Sequence, residues 1–273
     1  MKKYAVGLQL YSVRSDLARD FEGTLKAISQ MGYDSVEFAG LYGKTPEEAK
    51  ALCEKYGLDP VSAHISLAEM TADPDAVFAA YKTIGCRFAA VPYLGSEERP
   101  GTPGYDGVVS KIAFLTEKAK EYGITLMYHN HDFEFVRLEN GKYGYDDLFD
   151  RVPDLCAQID TCWVNVAGED PSAYLAKYKD RIPVVHFKDF VMPGKKAENL
   201  YNLIGMEENA KADPDAFSFR PLGYGAQDLN AMLAALDGSV CTTVIVEQDE
   251  PSMGKSRLEC AKMSIETLKK LGL

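Results

Sequence analysis

Ile124–Phe135 reads ITLMYHNHDFEF, an apolar run that turns polar within a few residues. Alternate residues of a strand share a face, so Met127, His129 and His131 are expected to point the same way, with Asp132 and Glu134 just beyond. The chain has only four histidines, and two of them fall in this stretch. A strand ending in so many polar groups makes a poor core strand and a good wall for a polar pocket. The other two histidines, His64 and His186, also close short apolar runs.

Outward from this stretch, one unit recurs: an apolar strand, a polar loop, an amphipathic helix closed by glycine, and another strand. The strands are expected at Tyr4–Leu10, Ser35–Phe38, Val61–Ala63, Phe88–Val91, the stretch above, Cys156–Asp160, Val184–Phe187 and Thr242–Val246. The helices between them carry start and stop signals. Asp20 can cap a helix over Phe21–Met31 that stops at Gly32, and Thr45-Pro46-Glu47-Glu48 starts one that runs to Tyr56. Asp73-Pro74, Asp170-Pro171 and Ser256 open others. Eight strands alternating with helices in 273 residues read as a single (β/α)8 TIM barrel, an α/β fold occupying residues 1–273. No GxGxxG or GxxxxGK[ST] supports a doubly wound nucleotide-binding sheet instead. Phe190–Tyr224 lacks clear periodicity. As it follows the seventh strand, it is expected to lie as an insertion over the active-site side.

Composition bounds the partners. A formal net charge of −11 argues against nucleic acid or an anionic membrane, and no apolar run reaches the ~20 residues of a membrane helix. Six scattered cysteines without CxxC spacing read as reduced core residues of a cytoplasmic protein.

In a TIM barrel the site forms at the C-terminal strand ends. Those ends carry Gln9 and Tyr11, Glu37, His64, His129 with His131 and Glu134, Asp160, His186 with Lys188, and Glu247. His, Asp and Glu converging from several strands are what a divalent metal needs, and a mixed N/O set suits Mn, Co, Zn or Fe better than Mg. Position alone points to Asp160, His186 and Glu247 as ligands; the alternative is a metal-free network in which the same groups pair with one another. Gln9, Tyr11, Glu37 and His64 are candidate substrate contacts. Trp163, the only tryptophan, offers packing or a stacking face for a sugar ring.

Taken together, GLQLYSVR (Gly7–Arg14), GYDSVEFAG (Gly32–Gly40), SAH (Ser62–His64), YHNHDFEF (Tyr128–Phe135), IDTCW (Ile159–Trp163), HFKD (His186–Asp189), PLGYGAQDL (Pro221–Leu229) and VEQD (Val246–Asp249) resemble the sugar phosphate isomerase/epimerase superfamily of xylose isomerase-like TIM barrels. The resemblance spans essentially the whole chain. It implies a divalent metal, manganese first, held by Glu, Asp, His and Glu; Asp160, His186 and Glu247 carry over. The strand-five glutamate of the epimerases does not, since this strand offers His129 and His131. His131 is therefore expected as the fourth ligand, with His129 free for proton transfer. Glu134 resembles the family's substrate-contacting glutamate, and Lys188 suits an enolate or an anionic substrate.

The resemblance implies a metal-dependent sugar isomerase or epimerase that abstracts a proton α to a carbonyl, with Glu247, His129, Glu134 and Lys188 as the chemical groups. The loss of the strand-five carboxylate raises a second reading, a lyase or dehydratase on a keto-sugar, keto-inositol or 3-keto-glycoside. A third is a sugar-binding barrel without catalysis. The expected partner is a small sugar, and barrels of this family often pair through rim loops, so a homo-oligomer is compatible with all three.

Overall fold

The computed structural model describes residues 4–193, 200–201 and 217–273. Its centre is one sheet of eight parallel strands: β1 (Ala5–Gln9), β2 (Ser35–Ala39), β3 (Asp59–His64), β4 (Phe88–Val91), β5 (Thr125–His129), β6 (Cys156–Gln158), β7 (Val184–Phe187) and, after the two strands of a hairpin, β10 (Thr243–Val246). Hydrogen bonding runs β6-β5-β4-β3-β2-β1-β10-β7. The ends of that row meet at a parallel bridge between Asp160 and His186, reinforced by the His186 N–H donating to the Ile159 carbonyl at 2.9 Å. The row thus curls into the (β/α)8 barrel that the alternating sequence predicts.

The helix signals act as their chemistry dictates. Asp20 accepts from the Gly23 N–H at the start of α2 (Phe21–Met31). Thr45 and Glu48 form a capping box ahead of Pro46 at the start of α3 (Pro46–Tyr56). Gly32 closes α2 at φ 92°, in the left-handed region that an L side chain resists. Three short helices are not expected from the sequence reading above: α1 (Arg14–Arg19), α4 (Leu67–Ala72), although Ser66 caps it, and α8 (Thr161–Val166). The last positions the site. Asp160 is its N-cap, and its Oδ1 accepts from Cys162 N at 2.8 Å and Trp163 N at 3.1 Å. One carboxylate oxygen is thereby fixed and the other is left over.

Apolar packing falls into layers. Val61, Ala90, Met127, Val184 and Ile245 fill the barrel interior, while a larger set lies between strands and helices. A separate cluster of Cys162, Trp163, Val166, Phe190, Leu200, Phe217 and Phe219 pins an antiparallel pair, β8 (Asp189–Val191) with β9 (Ser218–Arg220), onto α8. The expected insertion over 190–224 is described only at 190–193, 200–201 and 217–224, since 194–199 and 202–216 lie outside the described residues. Among the described residues, no helix is long and apolar enough to cross a membrane.

Candidate active site

Above the interior layer, the strand ends turn polar, beginning with Glu37. Its fully buried carboxylate receives Gln9 Nε2 at 2.6 Å, Ser62 Oγ at 2.5 Å and Gln158 Nε2 at 2.5 Å. His186 Nε2 lies 2.7 Å from it and His64 Nε2 3.0 Å. Burial works against its charge, yet the His64 and His186 rings hold its pKa well below the usual carboxylate range.

The next layer holds the groups with chemistry. His186 is clamped on both sides, with Nδ1 2.8 Å from Glu247 Oε2 and Nε2 against Glu37. Burial disfavours its cation, but the two carboxylates outweigh that and push its pKa up to about 10. Glu247 stays ionised: against the cost of burial, Lys188 and His186 keep its pKa well below normal. Lys188 is itself buried, paired with Asp249, 3.4 Å from Glu247 and 3.7 Å from Asp160. Burial, with His186 and His64 beside it, keeps His129 neutral.

These groups fit a divalent cation. One ligand atom each from His129, Asp160, His186 and Glu247 lies within 4.8 Å of the others. Asp160 Oδ2, the oxygen the α8 cap does not use, is buried without a hydrogen-bond partner, 3.7 Å from His129 Nε2. A buried anionic oxygen so placed is costly without a cation, and burial, joined by the nearby Glu247 charge and opposed by Lys188 and His186, pushes the Asp160 pKa up to about 7.

His131 lies outside that group of four. β5 ends at His129, and a 3-10 turn over Phe133–Phe135 follows, so the two-residue alternation that would have aligned His131 with His129 no longer applies. The His131 ring instead stacks on Phe133 and lies over Trp163, with centroids 5.6 and 5.0 Å away. By spacing, His129 and not His131 falls together with Asp160, His186 and Glu247, while the His131 ring stands in the aromatic wall. His129→Ala is expected to weaken divalent metal binding by more than about 100-fold, while His131→Ala stays within about tenfold of the parent. Calorimetric titration of chelator-treated protein with Mn²⁺ or Zn²⁺ decides this, and the opposite ranking restores His131.

A cavity of about 250 Å³ opens above this layer, lined among others by Tyr11, His64, Tyr93, His129, Lys188 and Glu247. Four expected substrate contacts do not reach it. Gln9 and Glu37 form its floor beneath the imidazoles. Trp163 is fully buried and anchors the hairpin cluster. Glu134 sits behind the wall, accepting from Tyr128 Oη at 2.6 Å and His131 N at 2.8 Å.

Burial pushes the Glu134 pKa up to about 8. A carboxyl raised in the folded state binds more protons there than in the unfolded chain. Its contribution to stability is therefore complete below ~4.3 and is lost as pH rises toward 8, by at most ~1.4 kcal/mol per pH unit. Glu134→Gln keeps the shape and one acceptor without the charge. Urea unfolding is expected to show the variant gaining on the parent between about pH 5 and 8; parallel curves would mean that Glu134 titrates normally.

Sequence reading missed Asp249, which holds Lys188, Ser62 and Gln158 in the floor, and Asn130, whose Oδ1 accepts from Asp160 N at 2.9 Å. A signal for two of them was present: Ser62 and Gln158 each lie two residues before a singled-out strand-end position, on the same face.

Comparison with known proteins places this geometry in context. Residues 25–271 match the family model of the xylose isomerase-like TIM barrel. An inosose dehydratase of Geobacillus kaustophilus (strain HTA426) is 24% identical over 190 residues, covering 60% of this chain and 60% of that protein. The chain thus matches about 60% of the length of that curated relative. A sugar phosphate isomerase/epimerase structure from Parabacteroides distasonis superposes with a TM-score of 0.77 at 20% identity, covering 98% of each chain. The IOLI protein with a bound zinc atom superposes with a TM-score of 0.70 at 16% identity, covering 99% of this chain and 98% of its own.

Proposed function

Because the chain belongs to the xylose isomerase-like TIM-barrel family, we propose that it is a metal-dependent lyase removing water from a keto-sugar or keto-cyclitol by abstraction of the proton α to the carbonyl. The carrying observation is the asymmetry of the acids that reach the cavity. Only Glu247 and Asp249 do so among the described residues, and Asp249 is engaged by Lys188. One carboxylate, Glu247, is left as base. Epimerisation through two carboxylates needs one on each face of the substrate, whereas a syn elimination needs one. The proton that Glu247 takes from carbon is the proton the departing β-hydroxyl requires to leave as water.

The other residues have matching tasks. His129, Asp160, His186 and Glu247 would hold the divalent ion, whose chemistry when bound is to polarise the carbonyl as a Lewis acid. Lys188 presents a buried ammonium to the developing oxyanion, where low dielectric strengthens its effect. His64 and Tyr11 offer hydrogen bonds to ring hydroxyls. The sequence similarity to an inosose dehydratase supports the same chemistry and suggests the cyclitol as first substrate.

A second reading, isomerase or epimerase, releases His129 from the metal ligands and uses it as a base. Its neutral imidazole faces the cavity from β5, three strands around the ring from the Glu247 strand, and can return a proton from another side. Inosose and a panel of keto-sugars, followed by NMR in D₂O with Mn²⁺- or Zn²⁺-loaded protein, separate the two. Loss of water with a new unsaturated ketone or diketone is the expected result. Solvent deuterium incorporated with inversion or carbonyl migration, and no elimination, would establish the isomerase. Neither exchange nor elimination with any of them would reject both.

A further inference from the structure

The Glu37 carboxylate sits under the centre without reaching the cavity, and its partners dictate its task. We propose that Glu37 is the positioning residue of the metal centre: by accepting the Nε2–H of His186, it leaves Nδ1 of that ring as the nitrogen that binds the ion. This rests on the metal-dependent reading of the site.

An ionised carboxylate only accepts, so each of its partners must donate. Gln9 meets that demand without ambiguity, because its Oε1 is already used by the Tyr11 N–H at 2.9 Å and its Nε2 faces Glu37. Gln158 gives its Nε2 to Glu37 and so turns Oε1 toward His64 Nε2 at 2.7 Å, which must carry a proton. His186 is held by the same logic, with Nε2 2.7 Å from Glu37 Oε1.

The other side of the His186 ring then decides what it binds. Without an ion the ring also donates from Nδ1, to Glu247 Oε2 at 2.8 Å; with Glu37 keeping the Nε2 proton, Nδ1 is the nitrogen free to exchange its proton for a cation. A cation entering between Nδ1 and the acids takes the place of that proton. Asp160, whose Oδ2 has no hydrogen-bond partner, belongs to the same group of candidate ligands. A metal there draws on Nδ1, with Glu37 behind the ring as the outer carboxylate that fixes its orientation and strengthens it as a ligand. Gln9, Ser62 and Gln158, from three other strands, hold Glu37 in turn, so the ring's tautomer is set by the barrel floor rather than by solvent.

The test uses Zn²⁺ as probe. In histidine-¹⁵N-labelled, Zn²⁺-loaded parent protein, long-range ¹H–¹⁵N correlations are expected to show His186 with a metal-bound Nδ1 and a protonated Nε2. Four histidines in the chain keep assignment by single substitution tractable. Glu37→Gln is expected to weaken Zn²⁺ binding by about 10- to 100-fold against a competing chelator and to lose that signature. A metal-bound Nε2 in the parent overturns the proposal, even if the variant fails to fold. So does Glu37→Gln with parent-like affinity and tautomer, including a variant whose metal-free form merely melts earlier. In those cases the metal-dependent reading survives. A parent protein that takes up no Zn²⁺ overturns both.

Discussion

Glu247→Gln is expected to lower the elimination, and any exchange of the substrate's α-proton with solvent, by about 10³-fold or more, within the range that one positioned acid–base group supplies. The side chain closes β10 (Thr243–Val246) at the cavity and is kept ionised by Lys188 and His186. An amide of the same shape cannot take a proton at that position. It can still accept from Lys188, so the pocket keeps its packing. Metal content measured alongside the rate separates the two tasks given to Glu247: a variant that keeps its metal and loses turnover has lost the base. Turnover within about tenfold of the parent, with metal bound, would move the base away from Glu247.

Asp189→Ala is expected to cost about 3–5 kcal/mol of stability, a loss that usually marks a broken buried network. The Asp189 carboxylate accepts four backbone N–H groups: Phe190 at 2.9 Å, Gly223 at 2.9 Å, Gly225 at 3.0 Å and Gln227 at 3.1 Å. It thereby staples the PLGYGAQ segment to the end of β7. Gln227 Nε2 also donates to the Lys188 carbonyl at 3.2 Å, so the staple steadies the residue that presents the ammonium. Alanine leaves four donors unmet at once, and asparagine, with one oxygen in place of two, is expected to lose about half as much. Gly225→Ala attacks the same contact from the other side, because a Cβ there would press on the Asp189 carboxylate and the Phe190 carbonyl. The shift should appear as a lower urea midpoint at unchanged slope. A change below about 1 kcal/mol for Asp189→Ala would show that water replaces the carboxylate.

The barrel was legible because its signals are local. Hydrophobic runs of strand length, capping residues ahead of helices and glycines behind them depend on neighbours a few positions away, so α2, α3 and the ends of β4 and β7 fall where the sequence predicts them. The same reasoning placed Asp160, His186 and Glu247 at one end of the barrel, since the C-terminal ends of parallel strands face one way.

What the sequence could not decide were the choices among residues two positions apart. Whether His129 or His131 joins the acids depends on where β5 gives way to a turn, and that end is fixed by pairing with β4 and β6. Whether Glu37 touches substrate or supports the histidines depends on depth, which Gln9, Ser62, Gln158 and His186 set from four other strands. Asp249 counted for little until the buried ammonium of Lys188 came to rest against it. The sequence alone therefore determined the architecture and which strand ends carry polar chemistry. The tertiary structure decided which side chain does what, because a buried charge takes its role from the partners that offset its desolvation, and those partners come from distant parts of the chain.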